Sequence, residues 1–307
     1  MTLPEGYLRY PHRGYGMDHE RYEWSILPRR KPITWPNGNR VALWVIPALE
    51  WFPLNMTIQS LRVPGALDRP YPDYWNYTLR DYGNRVGYFR VAKVLSDLGI
   101  KASVAMNSAL AARYPALVDD VNARNWEIVA HGVDMGRPHY GGLERATEAT
   151  WVEEAVTSLR EISGQAVTGW LSPGKSESEN TLDLVADHGL EYVCDWANDD
   201  LPYAMKSQAG TLYSLPHPHE IDDQLILCDS HHSEAQYLQQ LRDQFETLYS
   251  EASVGNGRVF ALSLHPWVIG QPFRIQTLER ALTYVLKHAG VWPATGSEIL
   301  AAFKASE

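Results

Sequence analysis

The chain has 307 residues, 45% of them hydrophobic and 21% charged, a balance that suits a soluble globular protein with a substantial core. Its formal charge of -10 argues against a nucleic-acid partner, because phosphate recognition draws on clustered cations, and no basic run suggests an anionic membrane surface. No apolar stretch approaches the ~20 residues of a membrane span, the start lacks an apolar leader, and Cys194 and Cys228 fit a reducing compartment, so a cytoplasmic protein is expected.

Residues 1–35 carry aromatics such as Trp24 and Trp35 but little regular pattern. They are expected to form an arm that packs on residues 36–307 or on a neighbouring subunit, in a homodimer or homotetramer. The turn signal "WPNGN" then opens a first strand, "RVALWVIP". The stretch from Asn55 to Asp81 reads as a long, aromatic-rich loop. "VGYFRVAKVLSDLG" predicts a helix ending at Gly99, followed by the strand "IKASVA". "WEIVAH" is the next strand, and Val152, Ala155, Val156, Leu159 and Ile162 hold helical spacing after it. "VTGWLS" and "EYVCD" are strands flanking a helix around Leu182 to His188. Leu238, Leu241, Phe245 and Leu248 mark another helix, which Ser233 is placed to cap. "RVFALSLH" is a strongly apolar strand, and Ile275 to His288 forms a helix behind it. Strands alternating with helices predict an α/β chain whose sheet is parallel and covered by helices, in one domain without internal repeats.

The informative residues are the polar ones that end the apolar runs. Glu50, His131, Ser172, Asp195 and His265 each follow a predicted strand. In a parallel barrel the C-terminal strand ends converge on one mouth, where such folds keep their active sites. Other catalytic patterns fail. There is no G-x-S-x-G elbow, phosphate-cradling loop or dinucleotide fingerprint, and Cys194 reads as buried packing.

"RDYGNRVGYFR", "EIVAHG", "GWLSPGKSESENT", "YVCDWANDDLPY" and "LSLHPWVIGQP" resemble the blocks of the polysaccharide deacetylase (NodB-homology) superfamily. Within it they are most similar to the cytoplasmic branch of cofactor-independent allantoinases and cyclic-imide hydrolases. The resemblance runs from about Trp35 to the C-terminus and implies an irregular seven- or eight-stranded (β/α) barrel. It implies a hydrolase that opens or deacylates a small linear or cyclic amide, ureide or imide. A metal-dependent carbohydrate N-deacetylase, or a non-catalytic binding protein on the same barrel, are the alternatives.

Metal-dependent members carry an Asp-Asp pair after the first strand and two histidines four residues apart. Here the first motif is "PALEW", with Glu50 alone, and the second is "HGVDM", with Met135 at the second ligand position. A thioether is a poor zinc ligand. No cofactor is therefore expected. The alternative is zinc or another divalent metal on Glu50 and His131 with one of His139, His217 or His219. For water attack on an amide, Glu50 and Asp195 are the candidate bases, and His131 is placed to polarise the carbonyl. The resemblance makes His265 the acid that protonates the leaving nitrogen. Arg85, Trp170 and Ser172 are further expected at the substrate, Asp199 and Asp200 to orient its N–H groups or position a base, and the resemblance places an acidic pair, Glu220 and Asp223, at the border of the pocket.

Overall fold

In a computed structural model, residues 19–56 and 72–306 are described. In chain order they form β1 (Val41–Leu49), α1 (Tyr74–Tyr82), α2 (Tyr88–Asp97), β2 (Ser103–Met106), α3 (Ser108–Arg113), α4 (Pro115–Ala123) and β3 (Glu127–Ala130). Then come α5 (Arg145–Ser163), β4 (Gly169–Trp170), α6 (Thr181–Asp187), β5 (Tyr192–Val193), β6 (Tyr203–Ser207) and β7 (Gly210–Ser214). The series ends with α7 (Glu234–Glu251), β8 (Arg258–Leu264), α8 (Ile275–Leu286), β9 (Val291–Pro293) and α9 (Gly296–Ser306).

Every residue of β1 and of β8 is buried, so neither strand shows the alternation of a half-exposed sheet; both are covered on two faces. The two pair in parallel from Val41↔Arg258 to Pro47↔Leu264. On its other side β1 takes β9 at its start and β2 at its end. The sheet runs β6-β7-β5-β4-β3-β2-β1-β8, parallel throughout except for the β6–β7 hairpin. The predicted (β/α) barrel is thus a sheet curled into a half-barrel within a single domain, with β6 and β8 at the two ends of the strand path.

Several local signals act as the sequence suggested. Ser233 caps α7 in a reciprocal capping box with Gln236. Gly99, in the left-handed region at φ +68, follows α2. The loop expected from Asn55 to Asp81 is helical from Tyr74, where Asp73 accepts hydrogen bonds from Trp75 N and Asn76 N; residues 57–71 lie outside the described part. Between α1 and α2 the chain forms a π-helical turn, Gly83–Gly87. It packs so tightly on the loop after β8 that a Cβ on Gly87 would meet the Pro266 carbonyl oxygen at 2.0 Å. Such turns concentrate at functional sites.

Of the expected arm, residues 19–35 are described, and they lie on the chain's own sheet and helices. Trp35 is buried with its Nε1–H donating to the Arg258 carbonyl at 2.9 Å. Arg21 pairs with Asp183 at 2.8 Å. Residues 1–18 lie outside the described part.

Candidate active site

The C-terminal ends of six parallel strands meet at one mouth, and each delivers a polar residue. Glu50 follows β1. Asn107 follows β2 and ties two neighbours together: its Oδ1 accepts from Trp51 N at 2.7 Å, and its Nδ2 donates to the His131 carbonyl. Asn107 is fully buried, so these bonds fix the exits of β1 and β3 against each other. His131 follows β3, and the next residue, Gly132, has φ +63 and a Cβ position 2.6 Å from the Pro173 ring. Only glycine satisfies both the left-handed turn and that approach.

Glu50 Oε1 lies 3.6 Å from His131 Nε2. The His131 Nδ1 sits 2.7 Å from the Leu171 carbonyl, which can only accept, so Nδ1 carries the hydrogen and Nε2 is left to face Glu50. Asn84, inside the π-turn, donates to the Glu50 carbonyl at 2.9 Å. The other carboxylate oxygen, Oε2, is enclosed without a protein partner. Burial pushes the Glu50 carboxyl up, yet its contact with His131 and the positive charges of His265, His131 and Arg80 outweigh that, and its pKa falls below the ordinary value. Glu50 is therefore an ionised carboxylate with one oxygen free.

His265 follows β8 and is gripped by two aspartates. Its ring Nδ1 donates to Asp223 Oδ1 at 2.8 Å and lies 3.4 Å from Asp222 Oδ1, while its backbone N–H donates to both Asp223 oxygens. Burial works against the charged ring, but Asp222 and Asp223 overcome it and raise His265 well above an ordinary histidine. Burial likewise opposes the charge of Asp222, which His265 and Lys175 pull far below the usual carboxylate range. Lys175 Nζ stands 3.5 Å from Asp222 Oδ2. It gets there from a loop in which Gly174 and Lys175 both take positive φ, +67 and +56, a conformation rarely held by a lysine without a constraint around it.

Asp195, after β5, accepts from Ser172 N at 2.8 Å and Ser172 Oγ at 2.9 Å, and that hydroxyl in turn accepts from Trp170 Nε1 at 2.7 Å. Burial raises the Asp195 carboxyl in spite of Ser172, Glu177 and the nearby His131 charge. Glu50, His131, Asp195 and His265 are thus gathered in one electrostatic neighbourhood, together with Ser172 and Asp223. Beyond β7 stands His217, fully buried with neither ring nitrogen hydrogen-bonded. Burial, then the charges of Lys175, His265 and His131, hold it neutral by driving its pKa well down, although Asp222 pulls the other way.

Other expected site residues sit elsewhere. Arg85 is exposed on the π-turn, and its neighbours Asn84 and Arg80 are the ones turned toward Glu50. Trp170 is wholly interior and acts through Ser172. Asp199 is engaged by Arg30 at 2.6 Å, and Asp200 is exposed. Glu220 is exposed in a surface groove beside His232 and Gln240 on α7, so the acidic pair at His265 is Asp222 with Asp223. Cys194 is buried, and burial raises its thiol well above the ordinary value, as suits packing rather than nucleophilic attack. Sequence reasoning missed Asn107, Lys175, Asp222 and Glu177.

The expected alternative metal set is corrected by this geometry. Met135 packs in an apolar trio with Phe52 and Met56. His139 is locked to Glu148 at 2.9 Å with its ring against Trp170, and His219 is exposed. Among the described residues neither Glu50 nor His131 belongs to a cluster of three or more ligand groups, so the described residues at the family position do not fit a metal. Among the described residues one such cluster exists, Asp222, Asp223 and His265, with ligand atoms within 4.8 Å of one another.

Residues 76–193 match the family model for polysaccharide deacetylases. A "Putative polysaccharide deacetylase" of Schizosaccharomyces pombe is 24% identical over 306 residues, covering 90% of this chain and 94% of that one. The crystal structure of Puue allantoinase superposes with a TM-score of 0.80 at 24% identity, over 90% of this chain and 95% of that one. A "probable Polysaccharide deacetylase" from Pseudomonas aeruginosa PAO1 does so with a TM-score of 0.76 at 25% identity, over 88% and 93%.

Proposed function

We propose that the chain, whose residues 76–193 match the polysaccharide deacetylase family model, hydrolyses a C–N bond of a small amide, ureide or imide by direct attack of water. The observation that supports this most is the opposition of Glu50 and His265. One is a buried carboxylate kept ionised with a free oxygen; the other is a half-buried imidazolium kept charged by two aspartates. Each lies in the field of the other. Two titratable groups whose surroundings drive them in opposite directions are what amide hydrolysis needs, since a base must take a proton from water while an acid gives one to the nitrogen.

In this reading Glu50 Oε2 accepts the proton of a water whose oxygen attacks the carbonyl carbon. His131, its Nδ1–H spent on the Leu171 carbonyl, presents Nε2 beside Glu50, where a protonated ring would offset the developing oxyanion. His265 Nδ1–H is held by Asp223, so Nε2 carries the proton that passes to the leaving nitrogen as the C–N bond breaks. The products are an acid and an amine or amide. Asp195 and Ser172 border His131 and are proposed to meet the N–H side of the substrate.

Incubating the purified protein with cyclic ureides, imides and N-formyl amides on one side and N-acetylated sugars on the other, and scoring acid, ammonia and acetate, tests the proposal. Turnover is expected on the first group. Acetate release from the sugars alone would overturn it.

A further inference from the structure

Glu177 was not singled out by sequence reasoning, and the reaction as drawn does not use it. It follows the Pro173–Lys175 turn and reaches back to the mouth of the half-barrel. Its Oε2 accepts from Trp196 Nε1 at 2.9 Å. Its Oε1 is enclosed and has no donor among the described residues, and the bond to Trp196 brings the carboxyl beside Asp195, the preceding residue, whose charge acts on it. Each Asp195 oxygen already accepts one hydrogen bond, one from Ser172 N and the other from Ser172 Oγ, and keeps a lone pair for a further donor. Two carboxyls in contact cannot both be bare anions without strong repulsion. Every donor at this pair points at Asp195 or at Glu177 Oε2, so Glu177 Oε1 is the atom left to bear a hydrogen.

We propose that Glu177 is a positioning residue that keeps its proton at neutral pH and donates it through Oε1 to Asp195, so that the two carboxyls carry one negative charge between them. The proposal rests on the reading of Asp195 as part of the site. The surroundings agree: burial first, and then Asp195, raise the Glu177 carboxyl well above its ordinary value. Other groups around the pair are Arg21 and His19 on the N-terminal segment, His131 after β3, Lys175 on the turn and Cys194 before Asp195. Arg21 is the cation that favours ionisation of Glu177, but its guanidinium is taken up by Asp183 and the Glu179 carbonyl. His19 and Tyr22 pack edge-on against Trp196, closing the far side of the indole that holds Oε2.

The consequence lies at His131, which feels the Asp195 charge. With one proton in the pair, one negative charge sits beside Ser172 and His131; loss of that proton adds a second, which opposes the oxyanion that develops there. Activity should therefore fall as pH rises through the pair's raised range.

Two readouts test this. Gln at position 177 can offer an amide N–H to Asp195 and a carbonyl to Trp196, so E177Q imitates the protonated acid, whereas E177A removes the donor. We expect E177A to lower kcat more than about tenfold at neutral pH, with KM less affected. E177Q should recover most of that loss and shift the alkaline limb of the profile upward. The second readout needs no substrate: infrared difference spectra between wild-type protein and E177Q at neutral pH should contain the carbonyl stretch of one protonated carboxylic acid. The absence of that band overturns the proposal, as does E177Q being as damaging as E177A. If E177A fails to fold by circular dichroism, or if no amide is turned over, the infrared comparison decides alone. A failure of the proposed reaction is thereby separated from a failure of the proton assignment.

Discussion

Glu50, buried, and Glu127, half-buried, are carboxyls on the same sheet, at opposite ends of their strands. Glu127 opens β3 and sits in a nest of donors: Ser103 Oγ at 2.5 Å, Tyr192 OH at 2.9 Å and Ser297 N at 3.2 Å. Trp44 Nε1 and Gly296 N complete the nest by donating to Ser103. Glu50 closes β1 with a histidine at 3.6 Å and one oxygen that none of the described residues satisfies. Burial wins at Glu127 and raises its pKa; the neighbouring charges win at Glu50 and lower it. Satisfied dipoles fasten an element, here the ends of β2, β3, β5 and α9, whereas an ionised group with a spare lone pair is free to act on something else. The histidines repeat the contrast. His139 and Glu148 are both fully enclosed and pinned by Ser178 and Thr181, while His265 keeps partial exposure beside its aspartates.

The sharpest way to break the comparison is to exchange oxygen for nitrogen at both ends. E50Q and H265N should each lower kcat on the best amide substrate by a hundredfold or more, roughly the scale of acid–base help. E127Q should leave kcat within about twofold, because no step of the reaction passes through that end. An E127Q defect as large as that of E50Q would erase the distinction.

Stability should move the other way. E127A strands the Ser103 and Tyr192 hydroxyls and the Ser297 N–H in the interior, and urea unfolding should report a loss of about 1–3 kcal/mol per group left unpaired in the worst case. E50Q removes a charge that His131, His265 and Arg80 already compensate and strands no donor, so it should cost less than E127A; a loss comparable to that of E127A would mean that Glu50 is structural.

The two carboxyls should also oppose each other in the pH dependence of stability. Glu50 lies below its ordinary 4.5 in the folded state, so its contribution is present above that pH and is lost as pH falls through the folded value. Glu127 lies above 4.5, so the folded state holds the extra proton, and stability declines as pH rises from 4.5 through the folded value. Urea midpoints measured across pH should therefore show E50Q flattening the acid side and E127Q flattening the neutral side. Identical slopes in the two variants would contradict the assignment.

How much of this was legible beforehand follows from what is local in sequence. Glu50, His131, Asp195 and His265 stand directly behind apolar runs, and the parallel sheet does the rest by bringing strand ends together. Asn107 also follows a strand, but its role is to bond two backbones at once, which spacing does not reveal. The π-turn at Gly83–Gly87 inserts a residue into the helical period, so a 3.6-residue reading selects Arg85 where Asn84 faces inward. Asp222 and Lys175 depend on loop conformations, one an Asp bonded to Gln224 N and the other a lysine at positive φ. The β6–β7 hairpin lies at a sheet edge with half its residues exposed, which leaves no apolar run to detect.

The smallest expected effect is none at all, and it bears on what the spare oxygen of Glu50 is for. A divalent ion there would be the partner that Oε2 lacks, and would make the mouth resemble the Glu127 end, a carboxylate saturated by its surroundings. The ligands for it do not assemble: among the described residues His131 Nε2 is the one imidazole nitrogen within 4 Å of Glu50, and Met135 is occupied with Phe52 and Met56. Catalytic zinc takes three protein donors drawn from imidazole, carboxylate and thiolate and leaves its fourth position to water. Prolonged chelation followed by gel filtration should thus leave kcat on the best amide within about twofold. The same protein, assayed with added zinc, should gain nothing. Loss of activity on chelation with recovery on zinc would reverse the reading and make Oε2 a ligand atom. The trio Asp222, Asp223 and His265 would then be the first place to look for the ion, and H265N would abolish metal binding as well as turnover.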